Sequence, residues 1–282
     1  MDTYKKVLIV IPTFNGAKYI EQTINSCLNQ TYPNIEIIVI DDFSEDNTID
    51  ILHKFGNSIK VVESKKHMGL TKNLNKIILK SNSDYFISLG HDDLLDKDHV
   101  SVMLNLFDHD TVAVYCNPNL IDRNGKFIKT AYDDNLQKEK SKKPLYYLSL
   151  NCFISIVGMM HKTSIFQRIK GCEEKYDLYW EWLYYIKILK FGKIKYTTKI
   201  KSFWRIHDSN VSSTLFSLER NISFFFYKLR CRFRAFRDLN NVTHFPTFVL
   251  YLLNDLRNHL IKYFKSIFFP TNKNALRTIK NR

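Results

Sequence analysis

Three short runs of this chain gather carboxylates, hydroxyls and amides behind apolar stretches: Pro12-Thr13-Phe14-Asn15, Asp41-Asp42-Phe43-Ser44 and His91-Asp92-Asp93. Adjacent aspartates offer hard oxygen ligands that suit Mg²⁺ or Mn²⁺, and such an ion bridges the oxygens of a diphosphate. The plain alternative for Asp92-Asp93 is a helix cap, with Asp92 capping a helix that begins at Leu94. For Thr13 to Asn15 the alternative is ordinary turn chemistry before a helix. What separates these readings is whether the fold brings the three runs to one edge.

The elements that position them alternate. Lys6 to Ile11 is a continuous apolar run ended by Pro12, and Ala17 to Asn29 has helical spacing through Ile20, Ile24, Cys27 and Leu28. Ile35 to Ile40 is a second run rich in β-branched residues, followed by a helix-like segment from Ser44 to Phe55. A short strand at Lys60 to Glu63, helical spacing over Leu70 to Leu79 and a strand at Tyr85 to Leu89 continue the pattern. Alternation of this kind predicts an α/β fold with a parallel sheet flanked by helices, whose ligand crevice lies beyond the carboxyl ends of the strands. All three runs stand at such ends.

Composition narrows the class. The chain has 282 residues, 45% of them hydrophobic, which excludes a disordered chain. No two of its eight glycines are two residues apart, so neither the dinucleotide fingerprint GxGxxG nor the P-loop GxxxxGK[ST] is present. Five cysteines, never spaced as CxxC, argue against a disulfide framework or a structural zinc site and fit a reducing cytoplasm. The apolar run after Lys6 is too short for a secretion signal, and Leu145 to Met160 is too short to span a bilayer and reads as buried core.

The net charge of +14 is a property of one end. From Asn221 onward there are twelve Lys and Arg against Asp238 and Asp255, which leaves +4 for the first 220 residues. Glycines and turn signals thin out after about residue 215, so the expected organisation is a main domain over 1–215 and a basic, aromatic, helical extension over 216–282. Ile222, Phe225, Phe226, Leu229, Phe233 and Phe236 recur at helical spacing among arginines, and Phe245 to Phe269 forms a second such segment. Such helices either pack on the main domain or lie on an anionic membrane surface. No nucleic-acid-binding signature accompanies the basic patch, so no nucleic acid partner is expected.

Taken together, Val7-Leu8-Ile9-Val10-Ile11-Pro12-Thr13-Phe14-Asn15, Gln30-Thr31-Tyr32-Pro33, Ile37 to Thr48 with its Asp41-Asp42-Phe43-Ser44 core, and Gly90-His91-Asp92-Asp93 resemble glycosyltransferase family 2. The resemblance covers roughly residues 5 to 215. It implies a GT-A fold, a site for a nucleotide sugar with Mn²⁺ or Mg²⁺, and inversion at the anomeric carbon. It further implies that Pro12, Thr13, Phe14 and Asn15 line the nucleoside pocket, and that Asp42, with Asp41 as the alternative, accepts from the ring N–H of uracil or thymine. Lys72 stands where the family often has arginine. Asp93 is implied as the metal ligand, Asp92 as a contact to ribose or metal-bound water, and His91 departs from the family's DXD pattern.

Further along, Trp180-Glu181-Trp182 opens a segment that ends Lys190-Phe191-Gly192-Lys193 and resembles the family's base-carrying helix, with Glu181 in the place of the base and Asp177 as its rival. Apolar neighbours would raise the pKa of such a glutamate toward a value useful for a base. Arg205-Ile206-His207 resembles the family's closing Arg-x-His segment, which implies that His207 completes the metal shell or touches the diphosphate. Phe153 to Met160 would line the acceptor side. The Gln-x-x-Arg-Trp element and multiple spans of processive synthases are missing, so the expectation is transfer of one sugar from a UDP- or dTDP-sugar to a lipid-linked or oligosaccharide acceptor of a bacterial surface polysaccharide. The enzyme would be cytoplasmic and peripheral at the inner face of the membrane. A catalytically inactive GT-A binding module is the alternative suggested by His91 and Trp180. A nucleotidyltransferase is another, although its glycine-rich loop is not seen around Gly16.

Overall fold

The computed structural model describes residues 4–208 and 222–239, with further helical residues between 249 and 261. Two compact units divide the chain, Met1–His207 and Asp208–Arg282.

The first unit is built on a seven-stranded sheet. Its strands are β1 (Val7–Thr13), β2 (Ile35–Asp41), β3 (Lys60–Glu63), β4 (Tyr85–Ser88), β6 (Thr111–Cys116), β9 (Met160–Lys162) and β10 (Lys193–Thr197), in the order β10-β6-β9-β4-β1-β2-β3. All neighbours run parallel except β9, which is antiparallel to both β4 and β6. Val7 to Ile11 and all of β6 are buried, as strands covered on both faces must be. Each fully buried Ile or Val contributes about 1.5–3 kcal/mol through the hydrophobic effect. The helices covering the sheet include α1 (Ile20–Leu28), α2 (Thr48–His53), α3 (Leu70–Ile78) and α4 (His99–Leu104). Ile20, Thr23, Ile24 and Cys27 form the buried stripe of α1 at the spacing of one helical face.

From β1 the chain moves outward to β2 and β3, then returns across β1 to β4, so the connection reverses direction between β1 and β4. In an open parallel sheet a reversal of this kind opens a crevice at the carboxyl ends of the strands. Beyond β4 the chain does not enter a helix at Leu94. Leu94–Leu95 instead forms β5, which pairs antiparallel with β11 (Ser202–Arg205), and the helix starts only at His99. A second, four-stranded sheet thus lies beyond the acidic run, ordered β5-β11-β7-β8, with β7 at Asn119–Ile121 and β8 at Phe127–Thr130.

Next come α5 (Asp134–Lys142) and α6 (Pro144–Leu150), then α7 (Thr163–Arg168), a 3-10 turn at Glu174–Tyr179 and α8 (Trp180–Ile188). The stretch read as continuous core, Leu145 to Met160, is divided. Leu148, Phe153, Ile154, Val157, Met159 and Met160 are buried while Leu145 is exposed, because a short helix, a loop and the start of β9 share it. In the second unit α9 (Ile222–Leu239) is a single helix, and the expected segment Phe245 to Phe269 falls largely outside the described residues. No described helix is long and apolar enough to cross a membrane.

Gly158, ahead of β9, tests this packing. It sits at φ +74°, and an added Cβ would fall 2.8 Å from the ring of His99 and from Ser202 Cβ. The same His99 ring nitrogen lies 2.6 Å from the Gly158 carbonyl. Gly158→Ala should therefore cost about 2–4 kcal/mol, from left-handed strain plus overpacking. Thermal denaturation should show a fall in Tm of roughly 5–15 °C, and an unchanged Tm would contradict the packing described.

Candidate active site

The carboxyl ends of β4, β1 and β2 stand side by side, and they carry the three runs. Loops after β1 and β2 are tied to each other. Asn15 N–H donates to Ser44 Oγ at 2.8 Å, Glu45 N–H to Asn15 Oδ1 at 2.8 Å, and Gly16 N–H to Thr48 Oγ1 at 2.9 Å. Asn15 is held at φ +52°, a region that asparagine tolerates. Pro12 and Thr13 end β1, and Phe14 projects past them with 42% of its surface exposed.

Both aspartates after β2 are buried. Asp42 accepts from the amides of Met68 and Gly69 at 2.7 and 2.9 Å, and His67 Nδ1 lies 2.9 Å from its Oδ2. Gly69 takes φ +90° there, a conformation that only glycine adopts without strain, and it leads directly into α3. Asp41 accepts from Ser44 N–H through Oδ2 at 2.9 Å, while its Oδ1, like Thr13 Oγ1, is buried with no hydrogen-bond partner among the described residues. Lys72, half exposed, has its ammonium 3.9 Å from Glu174. His67 is a part of the pocket that sequence reasoning missed, since nothing in Lys66-His67-Met68 signals that its ring meets both Asp42 and, at 4.7 Å between centroids, Phe14.

The turn after β4 closes with Asp93 N–H donating to the Gly90 carbonyl at 3.2 Å. Asp92 Oδ1 and Asp93 Oδ2 both come within 2.9 Å of where a Cβ on Gly90 would be, so two carboxylate oxygens converge over a position that only glycine leaves open. Asp93 is 5% exposed, and burial, reinforced by the neighbouring Asp92, holds its carboxyl well above the usual range. Two crowded carboxyl oxygens, one of them buried where a bare anion is disfavoured, are a donor set whose charged form a hard divalent cation would stabilise, so the residues fit Mg²⁺ or Mn²⁺. His207 Nε2 stands 2.8 Å from Asp92 Oδ2, with its ring 4.8 Å from that of Tyr19. His91 turns away to hydrogen-bond the Pro12 carbonyl, and burial lowers its pKa, so it shapes the turn as a neutral ring.

A literal Asp-x-Asp also occurs at Asp108-His109-Asp110, whose ligand atoms lie within 4.8 Å of one another. It precedes β6, at the opposite, amino end of that strand. There Asp108 pairs with Lys195 and Asp110 with Lys193, which already neutralise it.

Arg205 lies beside the acidic turn. It is the last residue of β11, fully buried, and its groups are engaged by the protein. Its N–H donates to Asp93 Oδ1 at 3.0 Å, Nε to the Asp92 carbonyl at 2.9 Å, Nη1 to the Asp122 carbonyl at 3.3 Å and Nη2 to Gln22 Oε1 at 2.8 Å. The guanidinium also lies 4.7 Å from the Tyr19 ring. Sequence offers no local signal for this, because the partners come from three distant segments.

Glu181 stands in the first turn of α8, half-buried, with no hydrogen bond to its carboxylate among the described residues. Burial pushes its pKa up to about 7. Its charge is felt by Tyr132, Cys152, Cys172 and Tyr185, all of which keep their protons more firmly through burial. Asp177, the rival, accepts from Thr71 through both its N–H at 2.9 Å and its hydroxyl at 2.6 Å, and so anchors the start of α3. That bond also ties the entry to α8 to the Gly69 edge of the pocket.

A carboxyl whose pKa rises on folding is stabilised in its neutral form, so this contribution is present below the unfolded value near 4.5 and is lost as pH rises through about 7. Glu181→Gln removes it at little change in shape. The Tm of the variant relative to wild type should therefore be higher at pH 8 than at pH 5. An equal difference at both pH values would mean that Glu181 is not held in a desolvated site.

Comparison with known proteins agrees with this geometry. Residues 8–170 match the model of glycosyl transferase family 2. A glycosyltransferase of Rickettsia typhi is 32% identical over 220 residues, covering 76% of this chain and 68% of its own length. The fold is similar to that of S. aureus TarS 1-349 in complex with UDP-GlcNAc, at TM-score 0.67 and 18% identity, over 96% of this chain and 77% of that one. It is also similar to a mannosyltransferase from Pyrobaculum calidifontis in complex with GDP-Man and Mn²⁺, at TM-score 0.61 and 14% identity, over 99% and 80%. With its GT-A sheet, its acidic turn beyond the switch point and a family match over more than half its length, the chain belongs to glycosyltransferase family 2.

Proposed function

We propose that the chain transfers one sugar from a UDP- or dTDP-sugar to a hydroxyl of a lipid-linked or oligosaccharide acceptor, with inversion, in the making of a bacterial surface polysaccharide. The observation that carries the transferase chemistry is the pair of unlike carboxyl sites. Asp92 and Asp93 converge over Gly90, which suits them as cation ligands, while Glu181, with no hydrogen bond to its carboxylate among the described residues, has its pKa pushed up to about 7. A UDP-sugar complex of a protein with this fold supports the donor class.

In this mechanism Glu181 takes the proton from the acceptor hydroxyl as its oxygen forms a bond to the anomeric carbon. The bond from that carbon to the diphosphate oxygen breaks on the opposite face, which inverts the centre. Asp92 and Asp93, with His207 beside them, would hold a divalent ion, which would supply positive charge to the departing diphosphate. Asp41, Asp42, Thr13 and Phe14 hold the nucleoside, Pro12 and Asn15 fix the loop, and Lys72 lies at the pocket edge where α3 begins. Arg205 acts on the chemistry through the turn it fixes.

The membrane reading rests on α9. Phe226, Arg230, Phe233 and Arg237 follow one another at i, i+4, i+7 and i+11, and all four are exposed. One face of the helix therefore alternates aromatic rings with guanidinium groups, a pattern suited to an interface of acyl chains and lipid phosphates. The site of action would be the inner face of the cell membrane.

Two experiments test these readings. Transfer measured over pH with a panel of UDP-, dTDP- and GDP-sugars should rise to a plateau with an apparent pKa of about 7. Glu181→Gln should lose about 10²–10⁴-fold in kcat while keeping nucleotide affinity. Turnover close to wild type in that variant would remove Glu181 from the role of base. Flotation with phosphatidylglycerol vesicles should be lost in the Phe226→Ser/Phe233→Ser variant and weakened by salt, and equal flotation of both proteins would refute the α9 surface.

A further inference from the structure

Phe43 follows the buried Asp41-Asp42 pair and is held at φ +72°. For a bulky residue this left-handed conformation is strained, and glycine or asparagine is what such a position favours. Its backbone has no freedom to relax. On one side Asp42 N–H donates to the Thr13 carbonyl at 2.8 Å and its carboxylate is fixed by the Met68 and Gly69 amides. On the other, Ser44 N–H donates to Asp41 Oδ2 and Ser44 Oγ accepts from Asn15 N–H.

Packing within the fold does little to offset this strain. The Phe43 side chain is 49% exposed, and no other ring touches it among the described residues. Strain of this kind, held in place by its surroundings, gathers where a ligand is handled. Across the adjoining strand end stands a second aromatic group, Phe14 against His67, also largely exposed. Thr13 and Asp41 are register partners on β1 and β2, so Phe14 and Phe43 leave the sheet one and two residues beyond the same pair. At that pair lie two buried oxygens without partners among the described residues, Thr13 Oγ1 and Asp41 Oδ1. Aromatic faces around unmatched polar atoms are the surroundings that a flat ring bearing N–H groups requires.

We infer that Phe43 is a stacking platform for the nucleobase of the donor, a specificity-determining residue whose strained backbone presents the ring to the ligand. The inference rests on the nucleotide-sugar reading and deepens it. The ring faces the base, and the diphosphate is held elsewhere, at the Asp92-Asp93 turn.

The test compares wild type, Phe43→Gly and Phe43→Tyr by thermal denaturation without ligand and by calorimetric titration with UDP and with inorganic pyrophosphate, each with Mg²⁺. Phe43→Gly should relieve the strain and raise Tm by about 2–4 °C, yet bind UDP about tenfold more weakly, with pyrophosphate binding unchanged. Phe43→Tyr should keep both the wild-type Tm and the wild-type UDP affinity. A Phe43→Gly protein that gains stability and binds UDP as well as wild type would overturn the inference, whatever its effect on the acceptor KM. So would an equal loss for UDP and pyrophosphate. Should wild type itself bind none of UDP, dTDP and GDP, the nucleotide-sugar reading fails, and this inference with it.

Discussion

The acidic turn depends on one buried cation. Arg205 reaches the site from the end of a short strand more than a hundred residues downstream. It joins the Asp92 carbonyl and the Asp93 carboxylate to Gln22 on α1 and to the Asp122 carbonyl between β7 and β8. A guanidinium suits this task because its donors lie in a fixed plane and spread to several acceptors at once. Burying such a charge is costly unless its donors are matched, and here backbone carbonyls and the Gln22 amide oxygen accept from it while the Arg205 backbone N–H holds the Asp93 carboxylate. The small sheet β5-β11-β7-β8 is thereby fastened to the large one at the place where two carboxylate oxygens must be kept close together.

The pocket edge next to it is built on the same plan, with buried carboxylates turned inward to hold backbone. Asp42 fixes the amides of Met68 and Gly69, and Asp177 fixes Thr71 two residues later. These bonds set where α3 starts and, through the 3-10 turn, where α8 starts. Glu181 is left as the acid without such a duty. The difference between Asp177 and Glu181 thus arises from their partners: the first carboxylate is engaged by two donors, and the second is desolvated with none among the described residues.

The sequence made the large sheet legible where physics is local. Val7 to Ile11 is apolar on both faces, Ile35 to Ile40 is apolar but for Glu36, and the two end at proline and aspartate, so β1 and β2 stand out, and Lys60 to Glu63 appears as β3 at the same bounds. Elements of two to four residues fixed by distant partners were hidden. Leu94–Leu95 resembles the start of a helix until β11 pairs with it, and Met160–Lys162 gives no hint that it runs antiparallel between β4 and β6. At the site, the residue types around Asp92, Asp93 and Glu181 could be read along the chain. The burial of Arg205, the ring of His67 on Asp42 and the left-handed Phe43 could not, since each follows from contacts between separate segments.

The central claim is that Asp92 and Asp93, and not the literal Asp-x-Asp at residues 108–110, hold a divalent ion together with the donor diphosphate. The most direct measurement is Mn²⁺ titration in the presence of UDP, followed by electron paramagnetic resonance, for wild type, Asp93→Asn, and Asp108→Asn/Asp110→Asn. Asparagine at position 93 keeps an acceptor for the Arg205 amide, so the turn should survive. The account predicts that Asp93→Asn loses the UDP-dependent bound Mn²⁺ signal and that the Asp108/Asp110 variant retains it. Retention in Asp93→Asn, or loss in the Asp108/Asp110 variant, would contradict it.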